Sequence, residues 1–134
     1  MTDQTATLTK DGDVSIITLD DGKANVFSTN MSNTINSLLD SVPEDKGSLL
    51  ITGREGLFSA GFDLKTISGG DPKAALEMTQ AGFKLLSRIY NFPRPVIAAS
   101  SGHAIALGAF LLCCADYRVG AVSYTHLRAH ETSL

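Results

Sequence analysis

Tryptophan is absent from the chain, and only two cysteines occur, side by side at Cys113 and Cys114 in the apolar stretch "LGAFLLCCA". Adjacent thiols match neither a disulfide framework nor the spaced pairs of a zinc site, and in such a segment they read as small buried hydrophobes. No apolar run reaches the roughly 18 residues that suggest a membrane span. The opening "MTDQTATLTKDGD" is too polar for a signal peptide, so a cytoplasmic protein without a membrane span is expected. No cluster of Lys and Arg stands out and the net charge is -3, so the electrostatic footprint of a nucleic-acid binder is missing. What remains is an ordinary composition, 43% hydrophobic and 19% charged over 134 residues, which suits one folded domain with a real core.

Along the chain, "TATLTKDGDVSIITLDDG" is two strand-like runs around an Asp-Gly pair, the signature of a hairpin. Met31, Ile35, Leu38, Leu39 and Val42 then recur at helical spacing, with Ser28 or Thr29 placed as N-cap. "GSLLITG" reads as a strand covered on both faces. Asp71-Pro72 starts a second helix, proline standing at its first position. Its expected buried stripe is Leu76, Met78, Phe83, Leu86, Ile89 and Tyr90. A strand "VIAAS", a glycine break at Gly102, a helix-like "LGAFLLCCA" and a strand "DYRVGAV" complete an alternating order that argues for a layered α/β fold. No internal repeat is visible in the sequence.

Two strand ends carry the chemistry. "SLLITG" leads to "LFSAGFDLK", and "VIAAS" leads to "SGHAIALGAFLL"; each strand leaves into small residues and then a helix start. Such turns leave backbone N–H groups unpaired, and the helix that follows adds its positive end. Two donors aimed at one point would make an oxyanion hole. Ala60 and Gly61 leave room for a carbonyl to approach the main chain, and the N–H of Phe62 is the candidate donor.

"GLFSAGFDLK" followed by "RPVIAASSGHAIALGAFLLCCADYR", with "DGKANVF" after the hairpin, resembles the enoyl-CoA hydratase/isomerase (crotonase) family over about Asp13 to Val122. The resemblance implies an α/β, crotonase-like spiral of repeated β-β-α units, C-terminally truncated, that takes an acyl-CoA thioester. It implies that the backbone N–H groups of Phe62 and Leu107 hold the thioester oxygen of an enolate. For coenzyme A it points to Lys23 and Ala24 near the adenine and phosphate end. Ala60, Gly61, Asp63 and Leu64 would line the pantetheine channel, and Lys65 would meet a phosphate. Asp63 has a second reading, as the cap of the turn "DLKTI". The complete protein would be a homotrimer or hexamer, and no cofactor is expected beyond the coenzyme A of the substrate.

The pattern also departs from the family. A hydratase of this kind places a glutamate three residues beyond the second donor, where a carboxylate can work as general acid or base; here that residue is Phe110. Hydration by two carboxylates is therefore doubtful, isomerisation with one base is at least as plausible, and the rival reading is a catalytically inactive CoA-binding or structural fragment. From Ser123 the chain becomes "SYTHLRAHETSL", which does not continue the family pattern and reads as a non-native tail. This divides the chain into residues 1–122, the N-terminal part of a crotonase-like domain, and a tail over 123–134. His126, His130 and Glu131 in that tail could share a helical face, but a zinc-protease motif needs Glu where Leu127 stands, and no metal site is expected. His103 reads as a turn histidine lining the pocket, because no nucleophile elbow surrounds Ser100 and Ser101.

Overall fold

A computed structural model describes residues 4–121. The proposed tail, with His126, His130 and Glu131, lies outside the described residues.

The chain opens with strands β1 (Ala6–Asp11) and β2 (Val14–Leu19), paired antiparallel with Asp11 opposite Val14. The turn is therefore Gly12-Asp13, not Asp11-Gly12: glycine holds the first central position at φ +60°, while Asp13 keeps a negative φ. That is the pattern of a type II′ hairpin, which needs glycine first, where an Asp-Gly pair would have formed type I′.

Helix α1 (Thr29–Leu39) begins at Ser28, whose hydroxyl accepts the Met31 N–H at 3.0 Å. Met31, Ile35 and Leu39, one turn apart, are each at most 1% exposed. Strand β3 (Ser48–Thr52) pairs parallel with β2. It is not equally covered on its two faces, since Leu49 and Ile51 are buried while Ser48, Leu50 and Thr52 are half-buried. Next come the short strand β4 (Gly56–Ser59), helix α2 (Leu64–Ser68) and the long helix α3 (Pro72–Tyr90), whose Asp71 cap accepts the N–H groups of Lys73 and Ala74.

On α3 the buried residues are Met78, Gly82, Leu85, Leu86 and Ile89. Spacings of four, three and four keep Met78, Gly82, Leu85 and Ile89 in one stripe. Leu76, Phe83 and Tyr90 repeat every seven residues on a neighbouring stripe and stay outside at 56%, 52% and 70% exposure. The expected stripe mixed the two because it followed apolar residues rather than helical angle.

Strand β5 (Val96–Ser100) joins β3 in parallel, β6 (Gly102–Ala104) follows at once, helix α4 runs Leu107–Cys114, and β7 (Tyr117–Gly120) pairs parallel with β5. Gly102 is thus the first residue of a strand rather than a break. Helix α4 buries Leu107, Gly108, Leu111 and Leu112, so Phe110 and Cys113 fall on its other side. Cys113 is exposed and Cys114 half-buried, contrary to the expectation that both are interior. Burial, and then the neighbouring Cys113, hold the Cys114 thiol above its ordinary pKa.

The large sheet has the order β1-β2-β3-β5-β7, and β4 pairs parallel with β6 in a separate small sheet. A one-residue bridge between Val26 and Gly61, also parallel, extends the small sheet toward the first segment. The architecture is therefore α/β and repetitive in space without being repetitive in sequence. Three times, a strand of the large sheet is followed by an extended piece in the small sheet and then by a helix: β2, Val26, α1; β3, β4, α2 with α3; β5, β6, α4. Phe27 and Phe58, both 0% exposed, anchor the core between these layers.

Candidate active site

Parallel neighbours in a sheet release their chains at the same edge. Because β4 and β6 pair in parallel, the turn 60–63 and the turn 105–107 leave the small sheet side by side, each running into the start of a helix. A Cβ placed on Gly61 would lie 2.8 Å from the Ile105 carbonyl oxygen and 3.3 Å from the Leu107 nitrogen. The two turns touch, and only glycine at position 61 permits it.

Each turn aims its amide by backbone geometry. Gly61 holds φ +91°, a region open mainly to glycine. Its N–H donates to Ser59 Oγ at 3.1 Å, and its carbonyl accepts from Phe27 N–H at 2.7 Å. In a trans peptide the N–H of the next residue points opposite to that carbonyl, so the Phe62 N–H faces away from Phe27. In the second turn, Gly108 N–H donates to the Ile105 carbonyl at 2.9 Å, and Ala106 adopts φ 52°, ψ -117°. These are the dihedrals of a type II′ turn, in which the central peptide, carrying the Leu107 N–H, takes no part in the turn's hydrogen bond. Among the described residues neither amide donates to a protein acceptor.

Ala106 occupies a position suited to glycine, a strain worth roughly 1 to 3 kcal/mol. Ala106→Gly is expected to raise stability by about 1 kcal/mol in denaturant melts, after the greater freedom of glycine in the unfolded chain is subtracted. No change or a loss would show that the backbone there is relaxed.

Ser59, one of the small residues that end the strand, and Asn25, which no local motif marks, knit the turns together. Ser59 is 0% exposed; its hydroxyl donates to the Asn25 carbonyl at 2.7 Å, and its own carbonyl accepts from Ile105 N–H at 2.9 Å. Asn25, also 0% exposed and at φ 51°, donates its side-chain amide to the carbonyls of Leu19 and Phe58 at 2.9 and 3.2 Å. Its Oδ1 accepts from Asp21 N–H at 2.9 Å. Asparagine tolerates the left-handed region better than most residues, but its burial is set by contacts that no local pattern in the sequence shows.

The residues proposed for coenzyme A lie on two segments that run together. Ala60 N–H donates to the Ala24 carbonyl at 3.0 Å, which lays the 23–27 segment along the 59–62 segment. Lys23 is exposed, and its carbonyl accepts from Arg54 Nη2. Arg54 also meets Asp20 at 3.1 Å. The Gly22 amide, followed by this guanidinium, holds the Asp20 carboxyl below its ordinary pKa. Asp63 caps α2, accepting Lys65 N–H at 3.2 Å and the Thr66 hydroxyl at 3.0 Å, so its capping role is present in the structure. Leu64, 75% exposed, and Lys65 project from the first turn of that helix. His103 lies on β6 and is exposed rather than in a turn. Phe110, one helical turn beyond Leu107, is 53% exposed, and no carboxylate stands in its place.

Comparison with known proteins gives this arrangement a family. The model of the enoyl-CoA hydratase/isomerase family matches residues 9–128. The chain belongs to that family. It is 33% identical over 112 residues to a "Probable enoyl-CoA hydratase" of Bacillus subtilis, covering 81% of this chain and 43% of that protein. Among solved structures it is similar to a probable enoyl-CoA hydratase from Mycobacterium tuberculosis, with a TM-score of 0.85, 40% identity, and 90% of this chain matched to 51% of that one. A second structure of that same Mycobacterium tuberculosis protein, named there an enoyl-CoA isomerase, matches with a TM-score of 0.83 and 39% identity over 90% of this chain and 53% of that one. The fold is that of part of these crotonase-type proteins, and the chain spans about half the length of the relatives it matches.

Proposed function

We propose that the whole protein acts on acyl-CoA thioesters, its Phe62 and Leu107 amides holding the thioester oxygen while an enolate forms beside it. The observation that carries this reading is the apposition of two turns whose amides have no protein acceptor among the described residues. Removing one such donor from an oxyanion hole typically costs about 3 kcal/mol of transition-state stabilisation, and because both donors are main-chain, Phe and Leu side chains do not abolish them. Lys23 and Lys65 supply positive charge for the phosphates of coenzyme A, and Ala24 and Ala60 supply narrow walls for the pantetheine. One Mycobacterium tuberculosis protein is named a hydratase in one structure and an isomerase in another, and the curated relatives are named enoyl-CoA hydratase or carnitinyl-CoA dehydratase. Phe110 favours isomerisation over hydration, since a phenyl ring cannot activate water.

The reading is tested by calorimetry of butanoyl-CoA against S-butyl-CoA, a thioether that lacks only the carbonyl. Two hydrogen bonds at about 1 kcal/mol each predict about thirtyfold tighter binding of the thioester. Equal affinities would overturn the assignment of the two amides. A second reading, an inert CoA-binding piece, is favoured by the same Phe110. It predicts thioester binding with no exchange of the α-hydrogens in deuterated water, whereas enolate formation predicts exchange.

A further inference from the structure

We infer that the Phe62 ring decides which acyl groups the site accepts, confining them to short chains; this rests on the acyl-CoA reading above. Phe62 contributes its amide to one side of the peptide plane and its ring to another part of the same site. The ring is half-buried and meets Phe83 edge-on, with centroids 5.7 Å apart and planes at 68°. It lies against α3 at Gly82, where an added Cβ would come within 2.6 Å of Phe62 Cε1 and 3.0 Å of Leu107 Cδ2.

The side chains of the two donor residues therefore meet over the one residue of this stripe that has none. Together they close the α3 side of the turns with no space for even a methyl group between ring and helix. An acyl chain whose carbonyl oxygen sits between the two amides starts within a few bonds of that wall. On the far side, Phe83 also lines an open depression of about 410 Å³ with Thr79, Gln80, Lys84 and Ser87. Through Phe83 the Phe62 ring is thus in contact with a residue that lines this depression on α3.

Phe62→Ala removes the ring but keeps the amide, and opens the α3 side of the turns toward Gly82. Phe83→Ala changes a residue 52% exposed and touches neither amide, so it leaves the fold in place while freeing the ring to swing. The full chain and both variants are titrated with butanoyl-CoA, octanoyl-CoA and free CoA. The ratio of octanoyl-CoA to butanoyl-CoA affinity is expected to rise at least about tenfold in Phe62→Ala, the low end of what one methylene gains from an apolar pocket. In Phe83→Ala it rises less, in the same direction, and free CoA binds all three proteins alike. An unchanged ratio in both variants, with butanoyl-CoA still bound more tightly than free CoA, would overturn the role of the ring alone. If no protein binds either thioester more tightly than free CoA, the acyl-CoA reading falls and this inference falls with it.

Discussion

Gly61→Val is expected to lose acyl-CoA affinity by about thirtyfold, the worth of the two amide hydrogen bonds, and stability by about 3 kcal/mol. Valine must hold φ +91° there, a strain of roughly 1 to 3 kcal/mol, and its Cβ meets the Ile105 carbonyl oxygen at 2.8 Å and the Ala106 methyl at 3.0 Å. Neither neighbour is a loose side-chain end. Ile105 is tied by its own N–H to the Ser59 carbonyl, and its carbonyl is held by the Gly108 amide. The turns must separate, and with them the two donor amides. Gly70→Ala serves as control: its φ is +79° but its surroundings are open, so it costs about 1 kcal/mol and leaves binding unchanged. Wild-type affinity in a folded Gly61→Val protein would show that contact between the turns is irrelevant to the ligand.

A comparable loss, this time of stability, is expected for Asn25→Ala. Its side chain satisfies the Leu19 and Phe58 carbonyls and the Asp21 N–H at a position with no access to water. Each buried group left without a partner costs about 1 to 3 kcal/mol, and alanine tolerates a left-handed φ less well than asparagine. The sum is about 4 kcal/mol. For a domain of this size that corresponds to a fall in Tm of roughly 15 °C or more. Asn25→Gly separates the two causes, since it relaxes the backbone and still deletes the amide; it should recover only about 1 kcal/mol. A loss below about 1 kcal/mol in Asn25→Ala would mean that the network around Ser59 holds without this residue.

Elements set by local chemistry were readable before any coordinates. The hairpin, the Ser28 cap, the Asp71-Pro72 helix start and the strands "SLLIT" and "VIAAS" each depend on residues within a few positions of one another. The small sheet was not readable. "GLFS" and "GHA" are too short to show a period, and their pairing is a contact between distant segments. For the same reason the sequence exposed both small-residue turns as candidate sites but not the parallel pairing that makes them neighbours. Asn25 escaped because one of its partners, Phe58, lies 33 residues away. The α3 stripe misled because Phe83 and Tyr90 are as apolar as interior residues; the difference lies in their angle around the helix.

The meeting of Gly56 and Gly102 at the head of the small sheet has a bearing on how such a chain can vary over time. A Cβ at Gly102 would run into the backbone of Gly56 and Leu57, and Gly56 itself holds φ +83°. Descendants that keep this strand pair are therefore barred from every other residue type at position 102, and lineages that drift there must first give up the pairing. The rim of the candidate site, whose proposed donors are main-chain atoms, is free to diversify its side chains, whereas an inconspicuous glycine behind it is immovable.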